Sequence, residues 1–323
     1  MKSFCTLALI IAVFTLVTSP ALAEKPLTFS SGAGAMSIVV DVAIDKGFID
    51  GRKAQMLVFK NGAETLDAFL KGQVDIGTAS PNNVILSNEF DPQKHAIVGM
   101  LSYTDSQLKL LTRNASDITR ISDLRGKKIA TTGSFGHFSL CKLLAHNGIS
   151  PAEVTILMMK KKQMPAAIAT GKIDAIFQHG APIEASKKLL GDNAWLIFQN
   201  ANIARKLLIL IMNRDMINNN PKLTDNVLKA IFKAQDYLKA NHTECVAIGA
   251  KSKKYTLANM EEAMSEITFD LMLRQSLLLS METMETWAID NGFVKRSQPR
   301  NYLDYIDPPP LERVAPNTVT IIH

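Results

Sequence analysis

The sequence is short of cysteine and has no long apolar run. Its 323 residues include only three cysteines, Cys5, Cys141 and Cys245, which excludes a disulfide framework and any four-cysteine zinc site. No apolar run reaches the roughly 18 residues that span a bilayer, so a multipass transporter is excluded. With 47% hydrophobic and 20% charged residues, the chain has the composition of a globular protein with two domains or one large domain.

A basic stripe interleaved with aromatic residues, the usual mark of a nucleic-acid-binding surface, is also absent. The formal net charge is +6, but Lys and Arg are scattered except in the run 160–162, which we interpret as solvated surface. No nucleic-acid partner is therefore expected. The surplus of positive charge would help to attract an anionic ligand.

The first 23 residues have the pattern of a secretory signal peptide. Lys2 supplies a positive charge, and residues 4–17 are almost purely apolar. Small residues then follow at the positions that a signal peptidase reads, which predicts cleavage after Ala23. The next residue is Glu24 and not cysteine, so the mature chain is expected to be a soluble exported protein rather than a lipoprotein.

Export would bring Cys141 and Cys245 into an oxidising compartment. Both lie in apolar segments with helical spacing, so two buried thiols are expected rather than a disulfide. A buried thiol of this kind behaves as a small apolar side chain.

Strands and helices alternate in two successive units of the chain. This alternation predicts a mostly parallel sheet with helices on both faces, whose ligand site lies at the carboxyl ends of the strands. In the first unit we expect strands at 27–29, 56–59 and 74–78 and helices at 36–46, 63–70 and after Ser80-Pro81. In the second unit we expect strands at 127–131, 154–158 and 173–177 and helices at 138–146, 165–169 and 181–190.

One phrase occurs in both units. Residues 69–77 and 168–176 each contain a helix end, a glycine, and a strand that opens with a hydrophobic residue followed by aspartate. The repetition predicts two lobes of similar topology. Two extended segments bracket the second unit and are expected to be hinge strands, at 107–112 and 206–212. The expected lobes comprise 24–109 with 211–323, and 110–210.

Beyond residue 220 the apolar spacing is helical, with helices expected at 224–239 and 257–287. The tail from residue 308 is expected to be extended and peripheral. Arg205, just before the second hinge strand, is expected to form a surface or hinge salt bridge, with contact to an anion as the alternative.

Four phrases of the sequence resemble those of a known family. They are residues 43–48 (AIDKGF), 68–77 (AFLKGQVDIG), 121–130 (ISDLRGKKIA) and 171–175 (GKIDA). They are similar to phrases of the substrate-binding proteins of ABC importers, in the branch for nitrate, sulfonates, taurine and thiamine-pyrimidine precursors. The resemblance implies a monomeric, two-lobed periplasmic binding protein of type II, which closes on a small ligand and delivers it to an inner-membrane ABC permease.

Loops at the carboxyl ends of the strands supply the candidate ligand-binding residues. Glycines let a backbone approach a ligand, and a helix that starts in such a loop points amide groups at it. Hydroxyl, amide and imidazole groups there can form hydrogen bonds, and phenylalanine can stack on a planar group. The predicted set is Gly34, Met36, Ser80, Asn82, Ser134, Phe135, Gly136, His137, Gln178 and His179.

The sequence favours a binding protein over an enzyme. It contains no G-x-S-x-G, H-E-x-x-H or P-loop motif, and its histidines have no metal-ligand spacing, so no cofactor and no metal are expected. A small anion such as a sulfonate, nitrate or carboxylate is the preferred ligand. A planar pyrimidine-like ring is the alternative ligand, and presentation of the ligand to a membrane kinase or another transporter is the alternative role.

Overall fold

The computed structural model describes residues 25–105, 108–198 and 205–322. In these ranges the chain folds into two β-sheets flanked by helices, one of seven strands and one of five. We call the half that contains the seven-stranded sheet lobe 1 and the half that contains the five-stranded sheet lobe 2. The predicted α/β class with two lobes is thereby confirmed. The predicted leader, residues 1–23, lies outside the described ranges.

Strands and helices follow each other along most of the chain. The strands are β1 (Leu27–Gly32), β2 (Ala54–Phe59), β3 (Ile76–Ala79), β4 (His95–Thr104), β5 (Lys109–Arg113), β6 (Lys128–Thr131), β7 (Thr155–Met158), β8 (Ala175–Gln178), β9 (Ala194–Phe198), β10 (Lys206–Asn213), β11 (Thr268–Arg274) and β12 (Val319–Thr320). The α-helices are α1 (Ile38–Asp45), α2 (Gly62–Leu70), α3 (Pro81–Leu86), α4 (Gly133–His146), α5 (Met164–Ala169), α6 (Ala181–Leu190), α7 (Arg214–Asn219), α8 (Pro221–Ala240), α9 (His242–Lys253), α10 (Leu257–Ser265), α11 (Gln275–Asp290) and α12 (Pro309–Val314).

Each sheet contains the same parallel unit of three strands. Lobe 1 has the order β12-β11-β4-β10-β3-β1-β2, in which β1 is parallel to β2 and β3. Lobe 2 has the order β7-β6-β8-β5-β9, in which β6 is parallel to β7 and β8. Both sheets are more mixed than the sequence predicts, because β5 and β10, which follow the two connections between the lobes, run antiparallel to their neighbours.

The aspartate of the repeated phrase makes an equivalent hydrogen bond in both lobes. The Oδ2 atom of Asp75 accepts hydrogen bonds from the backbone N–H of Thr28 (2.8 Å) and from its hydroxyl (2.6 Å). The Oδ2 atom of Asp174 accepts one from the N–H of Lys128 at 2.9 Å. Each aspartate therefore satisfies a backbone donor at the start of the neighbouring parallel strand, where the regular ladder has not yet begun.

Residues 257–287 do not form the single helix that the sequence predicts. They divide into α10, β11 and α11. Within β11, Leu271, Met272 and Leu273 are all buried, because the strand lies between β12 and β4 in the sheet. β4, which the sequence analysis did not predict, is a buried strand between β10 and β11.

The tail from residue 308 is not peripheral in the structure. Leu311 of α12 is fully buried, and β12 adds to the edge of the seven-stranded sheet beside β11. The tail is held because its apolar side chains complete the core of lobe 1, whose members also include Tyr302 and Ile306.

Each lobe has its own apolar core. One large cluster fills lobe 1 and also includes Phe138 of α4, and two smaller clusters cover the two faces of the lobe 2 sheet. Cys141 and Cys245 are buried free thiols, as expected. Among the described helices, none has the length and apolar character needed to cross a bilayer.

We propose that the connections from β4 to β5 and from β9 to β10 join the two lobes. Strands β5 to β9, which lie between these connections in the chain, form the whole sheet of lobe 2, and the other strands form the sheet of lobe 1. The boundary expected between residues 210 and 211 would divide β10, all of which pairs with β4 in lobe 1.

Candidate ligand-binding cleft

A cleft of about 710 Å³ lies between the two lobes. Lobe 1 contributes the turn after β1 and the end of β3, and lobe 2 contributes the first turn of α4 and the end of β8. The cleft is therefore at the carboxyl ends of parallel strands, as the α/β alternation predicts.

Nine of the ten predicted site residues line this cleft. They are Gly34, Met36, Ser80, Asn82, Ser134, Phe135, Gly136, Gln178 and His179. The structure thus brings together side chains and turns that are separated by up to 145 residues in the sequence, counted from Gly34 to His179. His137 is the exception.

A buried ion pair supports the turn after β1. The Nζ atom of Lys253 lies 3.0 Å from Oδ2 of Asp41, and both side chains are almost completely buried. The same Nζ donates to the hydroxyl of Ser31 at 2.7 Å, and that hydroxyl is 2.5 Å from the hydroxyl of Ser37. Because Ser31 and Ser37 line the cleft, this network connects α9 to the cleft wall.

Ser80 is engaged by the hinge strand. It precedes α3, which has Pro81 at its first position as the sequence predicts. Its hydroxyl donates to the carbonyl of Leu207 in β10 at 3.0 Å, and its backbone N–H donates to Oδ1 of Asn83 at 3.2 Å. Ser80 thus fixes the start of α3 relative to β10, while Asn82 lines the cleft in the next turn.

The first turn of α4 forms the lobe 2 wall. The helix begins at Gly133, five residues earlier than the sequence predicts, with Thr132 at its N-cap position. Gly133 has a φ of 57°, which favours glycine. A Cβ atom on Gly136 would lie only 2.6 Å from the Thr131 hydroxyl, so the close helix–strand contact also needs glycine. The first amide groups of α4 have no partner within the helix and carry the positive end of its dipole toward the cleft.

Gln178 holds the lobe 2 wall in position through two hydrogen bonds. Its side chain is buried, and its Nε2 atom donates to the hydroxyl of Thr132 at 2.6 Å. Its Oε1 atom accepts from the backbone N–H of His179 at 3.0 Å. Gln178 therefore joins the end of β8 to the start of α4, and its two polar atoms are used within the protein.

Three lysines in the cleft were not among the predicted site residues. They are Lys60, Lys161 and Lys206, and no carboxylate occurs among the described residues that line the cleft. Lys161 belongs to the run that the sequence analysis assigned to solvated surface. Lys206 directly follows Arg205. Its position at the start of an expected hinge strand is the sequence signal that could have identified it as a cleft residue.

The lysines perturb one another and His179. Burial, with the nearby charges of Lys206, Lys161 and Lys109, holds the pKa of His179 well below its usual range, so the imidazole is neutral at pH 7. Burial and the charge of Lys161 lower the pKa of Lys206 to about 8. The cleft is therefore cationic without a charged histidine.

His137 lies outside the cleft because its ring packs on lobe 1. Its centroid is 5.1 Å from that of Trp287 and 5.7 Å from that of Phe293, both at edge-on angles. Phe138 packs on the same Trp287 ring at 5.5 Å. These contacts bring the start of α4 against the end of α11, so His137 joins the two lobes and does not face the ligand cleft.

Replacing His137 with alanine is expected to lower the free energy of unfolding by about 1–2 kcal/mol, because it removes aromatic packing between the lobes. The Kd of a bound ligand should change by no more than about twofold. Chemical denaturation and isothermal titration calorimetry measure the two effects. His137→Phe, which keeps a ring, serves as control, and a tenfold weaker Kd with unchanged stability would restore His137 to the site.

The two connections between the lobes are tied by an ion pair. Nε and one terminal nitrogen of Arg205 lie 2.8 and 3.0 Å from the two carboxylate oxygens of Asp105. The guanidinium also lies over the ring of Tyr103, 4.3 Å from its centroid. Arg205 therefore forms the hinge salt bridge that the sequence analysis expected.

Solved structures define the class of this fold. The periplasmic aliphatic sulphonate-binding protein SsuA of Escherichia coli superposes with a TM-score of 0.72 at 17% sequence identity, covering 87% of this chain and 97% of that chain. The protein thus has the two-lobed fold of the periplasmic binding proteins.

The sequence places the chain within a family. Residues 39–245 match the family described as NMT1/THI5 like, and the chain belongs to it. The taurine-binding periplasmic protein of Escherichia coli (strain K12) is 26% identical over 200 residues, 60% of this chain and 58% of that protein. The 4-amino-5-hydroxymethyl-2-methylpyrimidine phosphate synthase THI12 of Saccharomyces cerevisiae (strain ATCC 204508 / S288c) is 24% identical over 223 residues, 63% of this chain and 64% of that protein. The family resemblance inferred from the four sequence phrases is confirmed.

Proposed function

We propose that this protein is an exported solute-binding receptor that captures a small organic anion, such as a sulfonate, and delivers it to an ABC importer. The observation that carries the proposal is the cleft between the lobes, which combines the first turn of α4 with three lysines and contains no carboxylate among its described lining residues. Amide groups at a helix start and lysine side chains are both suited to binding an anion. The similarity to the taurine-binding and sulphonate-binding proteins supports this ligand class.

Closure of the lobes gives the receptor its signal for the permease. A ligand that contacts both walls binds the closed state more tightly than the open one and shifts the population toward it. The connections tied by Asp105 and Arg205 lie where such a motion pivots. The predicted leader and the similarity to periplasmic proteins support a periplasmic location.

The chemistry of the cleft favours binding over catalysis. Neither of the described cysteines, Cys141 and Cys245, lines the cleft, and burial raises the pKa of both thiols. A thiol with a raised pKa is a poor nucleophile at neutral pH because it is the thiolate that reacts.

A planar ligand is the second candidate, because aromatic side chains also line the cleft. Phe135, Tyr255 and Phe293 lie there, on different segments of the chain. A pyrimidine-like ring could stack on one of them. The similarity to a pyrimidine phosphate synthase supports this alternative.

A thermal-denaturation screen separates the two ligand classes. Sulfonates, nitrate, dicarboxylates and pyrimidines are each added to the purified protein, and a true ligand at 100 times its Kd adds about 2.7 kcal/mol of stability. We expect the organic sulfonates to stabilise the protein more than the pyrimidines do. Stabilisation by pyrimidines alone would replace the first proposal with the second, and stabilisation by none of them would contradict both.

Ser134→Ala tests the α4 wall directly. The variant is expected to weaken binding of the stabilising anion by about three- to tenfold, the usual loss for one hydrogen bond. Ser139→Ala is the matched control, since that hydroxyl lies one turn further along the same helix and donates to the carbonyl of Phe135 at 2.7 Å. Calorimetric Kd values that change equally in both variants would remove Ser134 from the site.

A further inference from the structure

Two lysines and a neutral histidine form a cluster on the cleft wall where lobe 2 meets β10. Lys161 follows β7, His179 follows β8, and Lys206 begins β10, so the cluster joins lobe 2 to the hinge strand. Each of the three lines the cleft. Lys109 on β5 also acts on His179, but its own charge is balanced by Glu266 at 3.6 Å.

The two lysine charges repel each other. Both lysines line the same cleft, and the charge of Lys161 lowers the pKa of Lys206. Like charges held together in a partly desolvated cleft are costly, and an anion bound between them offsets that cost. Because His179 is neutral, the cluster offers two positive charges rather than three.

We propose that the cluster of Lys161, Lys206 and His179 selects a doubly charged oxyanion headgroup, as in a phosphate monoester, over a singly charged sulfonate. The inference rests on the proposed function and names the ligand class of that same cleft. A phosphate monoester carries about −1.5 to −2 charges at pH 7, and a sulfonate carries a single negative charge. The shapes of these headgroups are alike, so charge decides between them.

A matched pair of ligands tests the proposal. Ethyl phosphate and ethyl sulfate have the same ester chain and the same tetrahedral headgroup, and at pH 7.5 the first is mostly doubly charged and the second singly charged. Calorimetric titration at pH 7.5 is expected to give a Kd for ethyl phosphate at least about tenfold lower, which corresponds to about 1.4 kcal/mol. Ethanesulfonate, titrated in parallel, shows whether the ester oxygen itself changes the affinity.

Two variants assign the preference to the cluster. Lys161→Gln and Lys206→Gln are each expected to reduce the preference for ethyl phosphate to about threefold or less, with a smaller loss of ethyl sulfate binding. Lys162→Gln is the control, because Lys162 belongs to the same exposed run as Lys161 but does not line the cleft. Ligand-free denaturation of each variant verifies that it folds.

The possible failures point to different conclusions. Equal or tighter binding of ethyl sulfate by the unaltered protein would overturn the charge preference and leave the receptor for organic anions standing. A preference for ethyl phosphate that survives in both lysine variants would also overturn it. If neither ethyl compound binds and no anion of the wider screen stabilises the protein, the proposed function fails with it.

Discussion

Replacing Lys253 with methionine is expected to lower the free energy of unfolding by about 3–5 kcal/mol, because it leaves the Asp41 carboxylate buried without its cation. Burial already raises the pKa of Asp41 against the opposing effect of Lys253, and burial lowers the pKa of Lys253. Burial therefore disfavours both charges, and each charge offsets part of the desolvation cost of the other. Chemical denaturation at pH 7 measures the loss.

A surface pair provides the control for this prediction. Lys71 lies 2.7 Å from Asp67 on α2, with both side chains more than half exposed. Lys71→Met makes the same chemical change and is expected to cost much less stability, because water screens an exposed pair. Equal losses in the two variants would mean that the buried pair contributes no more than an exposed one.

The double variant Asp41→Asn with Lys253→Met separates charge burial from packing. It removes both charges and keeps side chains of similar size, so much of the lost stability should return. Ligand affinity should not return with it, because Lys253 also holds the hydroxyl of Ser31 in the cleft wall. If the double variant is as unstable as Lys253→Met alone, the loss comes from packing and not from an uncompensated charge.

The repeated phrase explains why the core of each lobe could be predicted from sequence. A helix end, a glycine and a strand that opens with hydrophobic-Asp are local features, and each follows from the conformational freedom of glycine and the alternation of apolar residues. Asp75 and Asp174 confirm the logic, since they make equivalent hydrogen bonds to β1 and β6. The parallel units β2-β1-β3 and β7-β6-β8 could therefore be predicted from the sequence.

The antiparallel strands of lobe 1 were harder to predict because their partners are distant in sequence. β4 pairs with β10 and β11, more than a hundred residues away, and both of its faces are buried. A short run buried on both faces carries no period that distinguishes a strand from a helix. β11 is likewise buried at three successive positions, 271–273, and it lies between two helical segments, which the helical spacing joined into one.

The lining of the cleft was predictable where backbone chemistry defines it and not where long side chains do. Glycines and helix starts mark the cleft loops in the sequence, so nine of the ten predicted residues line the cleft. The sequence around a lysine does not indicate where its side chain points. The run 160–162 would have the same sequence pattern whether it faced water or a ligand. His137 is the opposite case. It lies in a loop that the sequence assigns to the cleft, but its packing against Trp287 turns it away.

Anion affinity is expected to fall by up to about thirtyfold between pH 7 and pH 9.5, because Lys206 loses its proton in this window. Its pKa of about 8 is lower than the ordinary lysine value through burial and the charge of Lys161. An anion stabilises the protonated ammonium, so binding takes up a proton and weakens as the pH rises through that pKa. Of the other groups near Lys206, His179 is already neutral, and burial also lowers the pKa of Lys161, so a variant at Lys206 is needed to assign the profile.

Lys206→Arg provides the decisive control. Arginine keeps its charge throughout this range, so the variant should bind the anion with an affinity that barely changes between pH 7 and pH 9.5. Unfolding does not mimic the effect in the unaltered protein. Because the pKa of Lys206 is depressed in the folded state, the unfolded chain binds more protons above pH 8, and this group makes the ligand-free protein more stable as the pH rises. A calorimetric pH series in which the unaltered protein and Lys206→Arg weaken in parallel would assign the titration to another group.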